Sequence, residues 1–163
     1  MKRSSYITTP IYYVNDVPHI GHAYTTLACD TLARYKRLAG HDVYFLTGTD
    51  EHGQKVEKAA SQAGLTPQAF VDQVSQSFRD LIPQIQAAPD DFIRTTEERH
   101  KIAVQHLWKE LIKRNQIYLG EYSGWYAVRD EAFYQEKELV NGKAPTGADV
   151  EWVTEPSYFF RLS

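Results

Sequence analysis

Between residues 6 and 48 the hydrophobic pattern changes period twice, from strand to helix and back, and this alternation constrains the fold of the 163-residue chain more than any other feature. Tyr6-Ile7-Thr8-Thr9-Pro10-Ile11-Tyr12-Tyr13-Val14 is β-branched and aromatic, the composition of a buried strand and its exit, and Asn15-Asp16-Val17-Pro18 breaks it. From His22 onward Tyr24, Leu27, Ala28, Thr31, Tyr35 and Leu38 share one side at helical spacing and are expected to form a buried face, with Gly40 as the stop. Asp42-Val43-Tyr44-Phe45-Leu46-Thr47-Gly48 then reads as a short apolar strand buried on both faces. A strand, a helix and a second both-sided strand make a βαβ unit, whose crossover is right-handed and whose sheet is parallel.

The next segments repeat the alternation. A helix is expected from Gly53 to Ala63, and Thr66-Pro67 opens another with a capping hydroxyl and a first-turn proline. Phe70, Val74, Phe78, Leu81, Ile82 and Ile85 would be its buried stripe, and Pro89 to Arg94 would return as a third strand. Thr95 and Glu98 have capping-box spacing for a helix with Val104, Leu107, Trp108, Leu111 and Ile112 inward. From Ile117 the pattern shifts to short aromatic pieces, Ile117 to Glu121, Gly124 to Val128, Ala132 to Gln135 and Val150 to Val153, which read as small antiparallel hairpins. The expected organisation is therefore an α/β segment with a Rossmann-like parallel sheet over 1–115, followed by a small antiparallel β module over 116–163.

Composition narrows the function classes. The chain is 42% hydrophobic and 24% charged, as in folded globular domains, and has no apolar run long enough for a signal or membrane span, so a cytoplasmic protein is expected. One cysteine, Cys29, excludes an internal disulfide framework and an all-cysteine metal site. The net charge of −3 gives no global field for a polyanion; Arg99, Lys101, Lys109, Lys113 and Arg114 crowd one expected helix, either as a local patch or as a solvated face.

The chemistry concentrates in Pro18-His19-Ile20-Gly21-His22. A helix amino terminus carries unpaired N–H groups and partial positive charge, and His19 and His22 in its first turn add donors for a phosphate, with Gly21 leaving room for a nucleotide. Open parallel sheets bind ligands beyond the carboxyl ends of their strands, so Gly48-Thr49-Asp50-Glu51-His52-Gly53 is expected at the same rim. There Asp50 either holds a substrate ammonium or caps the next helix.

These residues resemble the class I aminoacyl-tRNA synthetases, whose signature is the His-Ile-Gly-His tetrapeptide after the first strand. Thr9-Pro10-Ile11-Tyr12-Tyr13-Val14-Asn15 before it and Gly48-Thr49-Asp50-Glu51-His52-Gly53 after the second strand look like the methionyl branch, and Gly124-Trp125-Tyr126 with Ser157-Tyr158-Phe159-Phe160 is similar to that branch's connective module. The resemblance implies the first half of a class I nucleotide-binding fold, use of ATP with Mg2+, formation of methionyl-adenylate and transfer to tRNA(Met). It assigns His19 and His22 to catalysis, His19, Gly21 and His22 to ATP, and Ile11, Tyr13 and Asp50 to methionine. An aliphatic wall and an aromatic ring suit a thioether, although Ile11 and Tyr13 also fit plain sheet packing.

Two departures qualify the resemblance. Many relatives carry a zinc knuckle whose ligand positions fall here on Ala127, Asp130, Ala144 and Gly147, so no metal site is predicted, and a zinc-free knuckle packed by Trp125, Tyr126, Phe133 and Tyr134 is expected instead. Nothing resembles the family's Lys-Met-Ser-Lys-Ser loop, so the chain is read as an amino-terminal fragment, nearly inactive and prone to self-association when isolated. Another class I synthetase, a smaller nucleotidyltransferase, or a noncatalytic module docking tRNA or a partner stay open as alternatives, and the oligomeric state is not specified.

Overall fold

The computed structural model describes residues 3–162, so Met1, Lys2 and Ser163 of the two expected segments lie outside it. The chain divides into two compact units, Met1–Ala103 and Val104–Ser163.

In the first unit β3 (Asp42–Asp50) is the central strand, and every pairing is parallel. Leu46 is in register with both Thr8 and Asp91, and Thr49 with both Tyr12 and Arg94. Hence β1 (Ser4–Thr8) and β2 (Tyr12–Tyr13) follow each other along one edge of β3, while β4 (Asp91–Arg94) lies along the other. The chain takes four steps from Thr8 to Tyr12 while β3 takes three from Leu46 to Thr49, so Thr9-Pro10-Ile11 holds one extra residue. Pro10 has no N–H to lose there, and the extra residue reverses which face each later side chain takes.

Helix α1 (Ile20–Leu38) connects the edge to β3; α2 (Gln54–Gln62) and α3 (Pro67–Gln84) connect β3 to β4. The Thr66 hydroxyl caps α3 by accepting from the Ala69 N–H at 3.2 Å, as expected from Thr66-Pro67. The core is Tyr12 and Val14 with Val56, Val71, Val74, Phe78 and Phe92, with Phe70 and Ile82 packed against it. The α3 stripe is thus largely as read, with Val71 added.

The inner face of α1 is not the one expected. Thr26, Asp30 and Ala33 are buried, whereas Tyr24, Leu27, Ala28, Thr31, Tyr35 and Leu38 are exposed. The buried polar groups are satisfied: Thr26 Oγ1 is 2.8 Å from the Tyr12 hydroxyl, and the Asp30 carboxylate accepts from the Ala88 N–H at 2.9 Å and from Arg34 at 2.5 Å. Burial costs little once such groups are paired, and a hydropathy pattern counts them as outward.

Helix α4 (Glu98–Lys113) also departs from its reading, since none of its residues is fully buried, and Val104, Leu107, Trp108 and Ile112 are each more than two-fifths exposed. Thr95 does not cap it: the Thr95 hydroxyl accepts from the Glu51 N–H at 2.9 Å, and the helix starts three residues later. The cationic patch is partly consumed, because Arg99 pairs with Asp91 and Glu97 and Lys113 with Glu110.

The second unit holds an antiparallel sheet in which β5 (Ile117–Ala127) lies between β6 (Ala132–Tyr134) and β7 (Glu151–Phe160). The two pieces read separately at 117 and 124 are one long strand. Its turns pack differently from the expectation. Asp130 N–H bonds to the Ala127 carbonyl at 3.1 Å and Gly147 N–H to the Ala144 carbonyl at 2.8 Å, closing two tight turns, and Ala127, Ala144 and Ala148 form a buried cluster against Tyr134 and Val150. The Asp130 carboxylate ties the turns together by accepting from the hydroxyls of Tyr134 and Thr146. The other aromatics run along the sheet, with Trp125 against Trp152 at 5.3 Å and Tyr126 against Phe133 at 4.8 Å between ring centres. Small side chains and one carboxylate thus join the two turns. Dialysis against a strong chelator is expected to leave the unfolding midpoint unchanged to within about 1 °C, in contrast to metal-dependent knuckles, whose loss of metal is loss of folding. Calorimetry before and after dialysis checks this.

Candidate active site

At the carboxyl ends of β2 and β3 the chain leaves the sheet, and α1 begins. His19 is the N-cap of α1: its Nδ1 accepts from the Gly21 N–H at 3.1 Å, and the His22 Nδ1 accepts from the His19 N–H at 3.0 Å. This is a reciprocal capping box made by two imidazoles, with ring centres 3.9 Å apart. A nitrogen that accepts a backbone N–H holds its lone pair there, so the ring proton of each neutral imidazole sits on Nε2. Burial lowers the His22 pKa from its ordinary value, with the nearby His19 charge as the smaller cause, which favours the neutral form that the cap needs.

Gly21 serves this arrangement in a way the sequence reading did not anticipate. A Cβ there would lie 2.9 Å from the His19 ring, so the space is taken by the imidazole itself. Gly53 makes a similar allowance, since its φ of 113° is left-handed territory and a Cβ would meet the Tyr13 hydroxyl at 2.6 Å.

Tyr13, His19 and His22 line one open cleft of about 450 Å³ together with Asn15, Asp16, Val17 and Pro18. Asp50 is in direct register with Tyr13 across the β2–β3 pair, which places both on the same face of the sheet. Asp50 and Ile11 are outside the lining of that cleft; Ile11 sits half exposed at the extra residue.

The neighbouring acid of the motif does something else. Glu51 is only 3% exposed and turns inward, accepting from Arg94 Nε at 2.7 Å and Nη2 at 2.9 Å, from Thr96 at 2.5 Å and from Thr49 at 2.7 Å. Arg94 also reaches Asp72 of α3 at 2.5 Å. His52 Nε2 lies 3.3 Å from the Thr95 carbonyl, so the segment after Asp50 is fastened to the end of β4 by two residues in succession. Sequence reasoning missed this network, though Arg94 was available by the rule that drew attention to Asp50, since it ends the third parallel strand.

Burial pushes the Glu51 carboxyl upward, but hydrogen bonds from Arg94, Thr96 and Thr49 and the Arg94 charge outweigh it and leave the pKa below its ordinary value. A carboxyl whose pKa is lower in the folded than in the unfolded state stabilises fully above the unfolded value, and that contribution is lost as pH falls through the folded one. Glu51→Gln removes the charge and leaves a mostly buried guanidinium with one partner, so a loss of about 3 kcal/mol at neutral pH is expected. Denaturant unfolding against pH checks both parts: the deficit of the variant should shrink below about pH 4.

Among the described residues no group of three or more His, Cys, Asp or Glu side chains is placed to hold a metal ion, and no helix is long and apolar enough to cross a membrane. The cleft holds a helix amino terminus with two imidazoles beside an aromatic ring, and Asp50 stands across the strand pair from that ring, a set suited to an anionic phosphate next to a small cationic group.

Comparison with known proteins shows what the chain is similar to. Residues 5–153 match the family model described as tRNA synthetases class I (M). A methionine–tRNA ligase of Rickettsia bellii is 66% identical over the whole chain, which spans 32% of that relative, and one of Listeria monocytogenes is 49% identical over 99% of the chain and 26% of its own length. The chain thus spans about a third of the length of the curated relatives it matches. Among solved structures, Mycobacterium tuberculosis methionyl-tRNA synthetase in complex with methionyl-adenylate superposes with a TM-score of 0.87 at 46% identity, covering 98% of this chain and 32% of that one. A leucyl-tRNA synthetase ternary complex from Agrobacterium radiobacter has the same fold, with a TM-score of 0.76 at 23% identity. The chain belongs to the class I (M) tRNA synthetase family.

Proposed function

We propose that this chain is the methionine- and ATP-binding part of a methionine–tRNA ligase. In the reaction the methionine carboxylate oxygen attacks the α-phosphorus of ATP, the bond to pyrophosphate breaks, and the methionyl group passes from the adenylate to tRNA(Met). The observation that carries the reading is the imidazole capping box, whose two rings line the same cleft as Tyr13 and have Nδ1 taken by the cap. It is supported by the 46% identical relative that holds methionyl-adenylate.

In this reading His19 and His22 stabilise charge on the phosphates, Gly21 lets His19 close the cap, and the helix terminus adds its dipole. Asp50 binds the methionine ammonium, while Tyr13 and Ile11 flank the thioether side chain. Mg2+ enters on the ATP phosphates, the usual arrangement for this ion, since the cleft supplies few carboxylates of its own. Residues 116–163 begin the connective module, and the protein works in the cytoplasm with tRNA(Met) as its second substrate.

Amino-acid-dependent ATP–pyrophosphate exchange by the full-length protein tests the assignment. Exchange driven by methionine and not by leucine or cysteine is expected. Exchange driven by leucine or cysteine assigns a different class I specificity, and salt-sensitive tRNA binding without ATP affinity assigns a noncatalytic module.

A further inference from the structure

The His22 ring is held from three directions, and two of them come from Tyr12 and Phe78, to which the sequence assigned no role in the site. Its Nδ1 is taken by the His19 N–H. Tyr12 of β2 meets it edge to face, with ring centres 4.8 Å apart at 64°, and Phe78 of α3 does the same from another side at 5.0 Å and 68°. Tyr12 and Phe78 also stack on each other at 5.6 Å. Both are buried, Tyr12 at 8% and Phe78 at 2% exposure, and Tyr12 is itself anchored, with its hydroxyl 2.8 Å from Thr26 Oγ1 and donating to the His22 carbonyl at 3.2 Å.

We propose that Tyr12 and Phe78 are positioning residues for the reaction assigned above: they form an aromatic wall that holds the His22 ring so that its Nε2–H faces the cleft. The proposal rests on that assignment of the cleft. It follows from a geometric requirement, because a donor aimed at developing charge acts only when its direction is set in advance. The capping bond is a single, exposed hydrogen bond to Nδ1, a soft restraint on the broad torsion about the Cβ–Cγ axis. Edge-to-face contacts with two buried rings remove that freedom. The lowered His22 pKa agrees, since burial is its larger cause and two buried rings pack against the imidazole. Two different connections bring the wall to His22. The extra residue at Thr9-Pro10-Ile11 sets the face on which Tyr12 lies, and α3 crosses to reach the same ring from the far side of β3 in sequence.

Two readouts test this in the full-length protein. In methionine-dependent exchange, Phe78→Leu is expected to lower kcat about tenfold with KM for methionine unchanged, and to slow His22→Asn no further, because the wall acts only through that ring. Tyr12→Leu, on a separate element, should behave as Phe78→Leu does, whereas Tyr12→Phe keeps the ring and stays within about twofold of the parent. An equal loss with and without His22, or no loss, overturns the proposal, since the wall would then be only packing. The second readout is the pair of His22 15N shifts by NMR, expected as one protonated nitrogen, Nε2, and one acceptor nitrogen, Nδ1, converging in Phe78→Leu as the unsupported ring releases the His19 N–H and then exchanges tautomers. Unchanged shifts overturn the proposal whatever the kinetics. Absence of methionine-dependent exchange in the unsubstituted protein instead overturns the functional assignment, and the nitrogen shifts still decide whether the wall holds the ring.

Discussion

His22→Ala is expected to lower methionine-dependent pyrophosphate exchange about 10²- to 10³-fold, the range for removing one oriented donor from a developing oxyanion. The size of this effect separates two roles of the same ring. As part of the capping box, His22 Nδ1 relieves the His19 N–H, and losing a cap costs only about 1 kcal/mol of stability. As a donor to phosphate, the role proposed above, its Nε2–H would contribute where charge grows during the reaction. His22→Asn separates the two, because the asparagine carbonyl occupies the place of Nδ1 and accepts the same N–H, yet nothing replaces Nε2. Exchange assays should find His22→Asn nearly as slow as His22→Ala while its melting temperature stays close to the parent. Full activity in His22→Asn would mean that the ring serves only as a cap.

Gly48→Ala is expected to be the most damaging single methyl group in the chain, costing more than about 4 kcal/mol and leaving little folded protein. Gly48 lies toward the carboxyl end of β3, inside its pairing with β4 and in register with Ile93. A Cβ at this position would sit 2.0 Å from the Ile93 carbonyl oxygen and 2.7 Å from its Cγ2. A flexible side chain would yield, but the first of these atoms is backbone in a parallel ladder, so the two strands must part and the pairing from Leu46–Asp91 to Thr49–Arg94 loosens. That stretch carries Asp50, Glu51 and Arg94 with it, so the effect on the site follows from the effect on the sheet. Circular dichroism and denaturant unfolding of the variant measure it. A cooperative transition within about 1 kcal/mol of the parent would contradict the close approach of β3 and β4.

The sequence was most legible where local chemistry and tertiary packing agree. Thr66-Pro67 announces α3 by capping geometry alone, and the continuous apolar run from Val43 to Leu46 marks the central strand, although burial on both faces holds only toward its carboxyl end, since Asp42 and Tyr44 are exposed. The His19–His22 pair was legible as a helix start, but not as a mutual cap, since that depends on rotamers rather than spacing. What the sequence concealed has a common cause. On α1 the inward positions are Thr26, Asp30 and Ala33, each polar or small, and their partners Tyr12 and Ala88 come from remote segments. Thr95 offers the same lesson: its spacing to Glu98 is that of a capping box, yet the Glu51 N–H across the sheet takes its hydroxyl. Glu51, expected at the rim with the rest of its segment, is buried because Arg94 ends the adjacent strand at matching height. In each case a long-range hydrogen bond overrides a local signal.

The central claim is that the imidazole pair and Asp50 together embrace an activated methionine. Titration calorimetry of the full-length protein with a nonhydrolysable methionyl-adenylate analogue tests it most directly. The account predicts binding by the parent, a loss of about 10- to 100-fold in Asp50→Asn, where a charge-assisted hydrogen bond to the ammonium is removed, and a further loss in His22→Ala. Binding in both variants as tight as in the parent would contradict it.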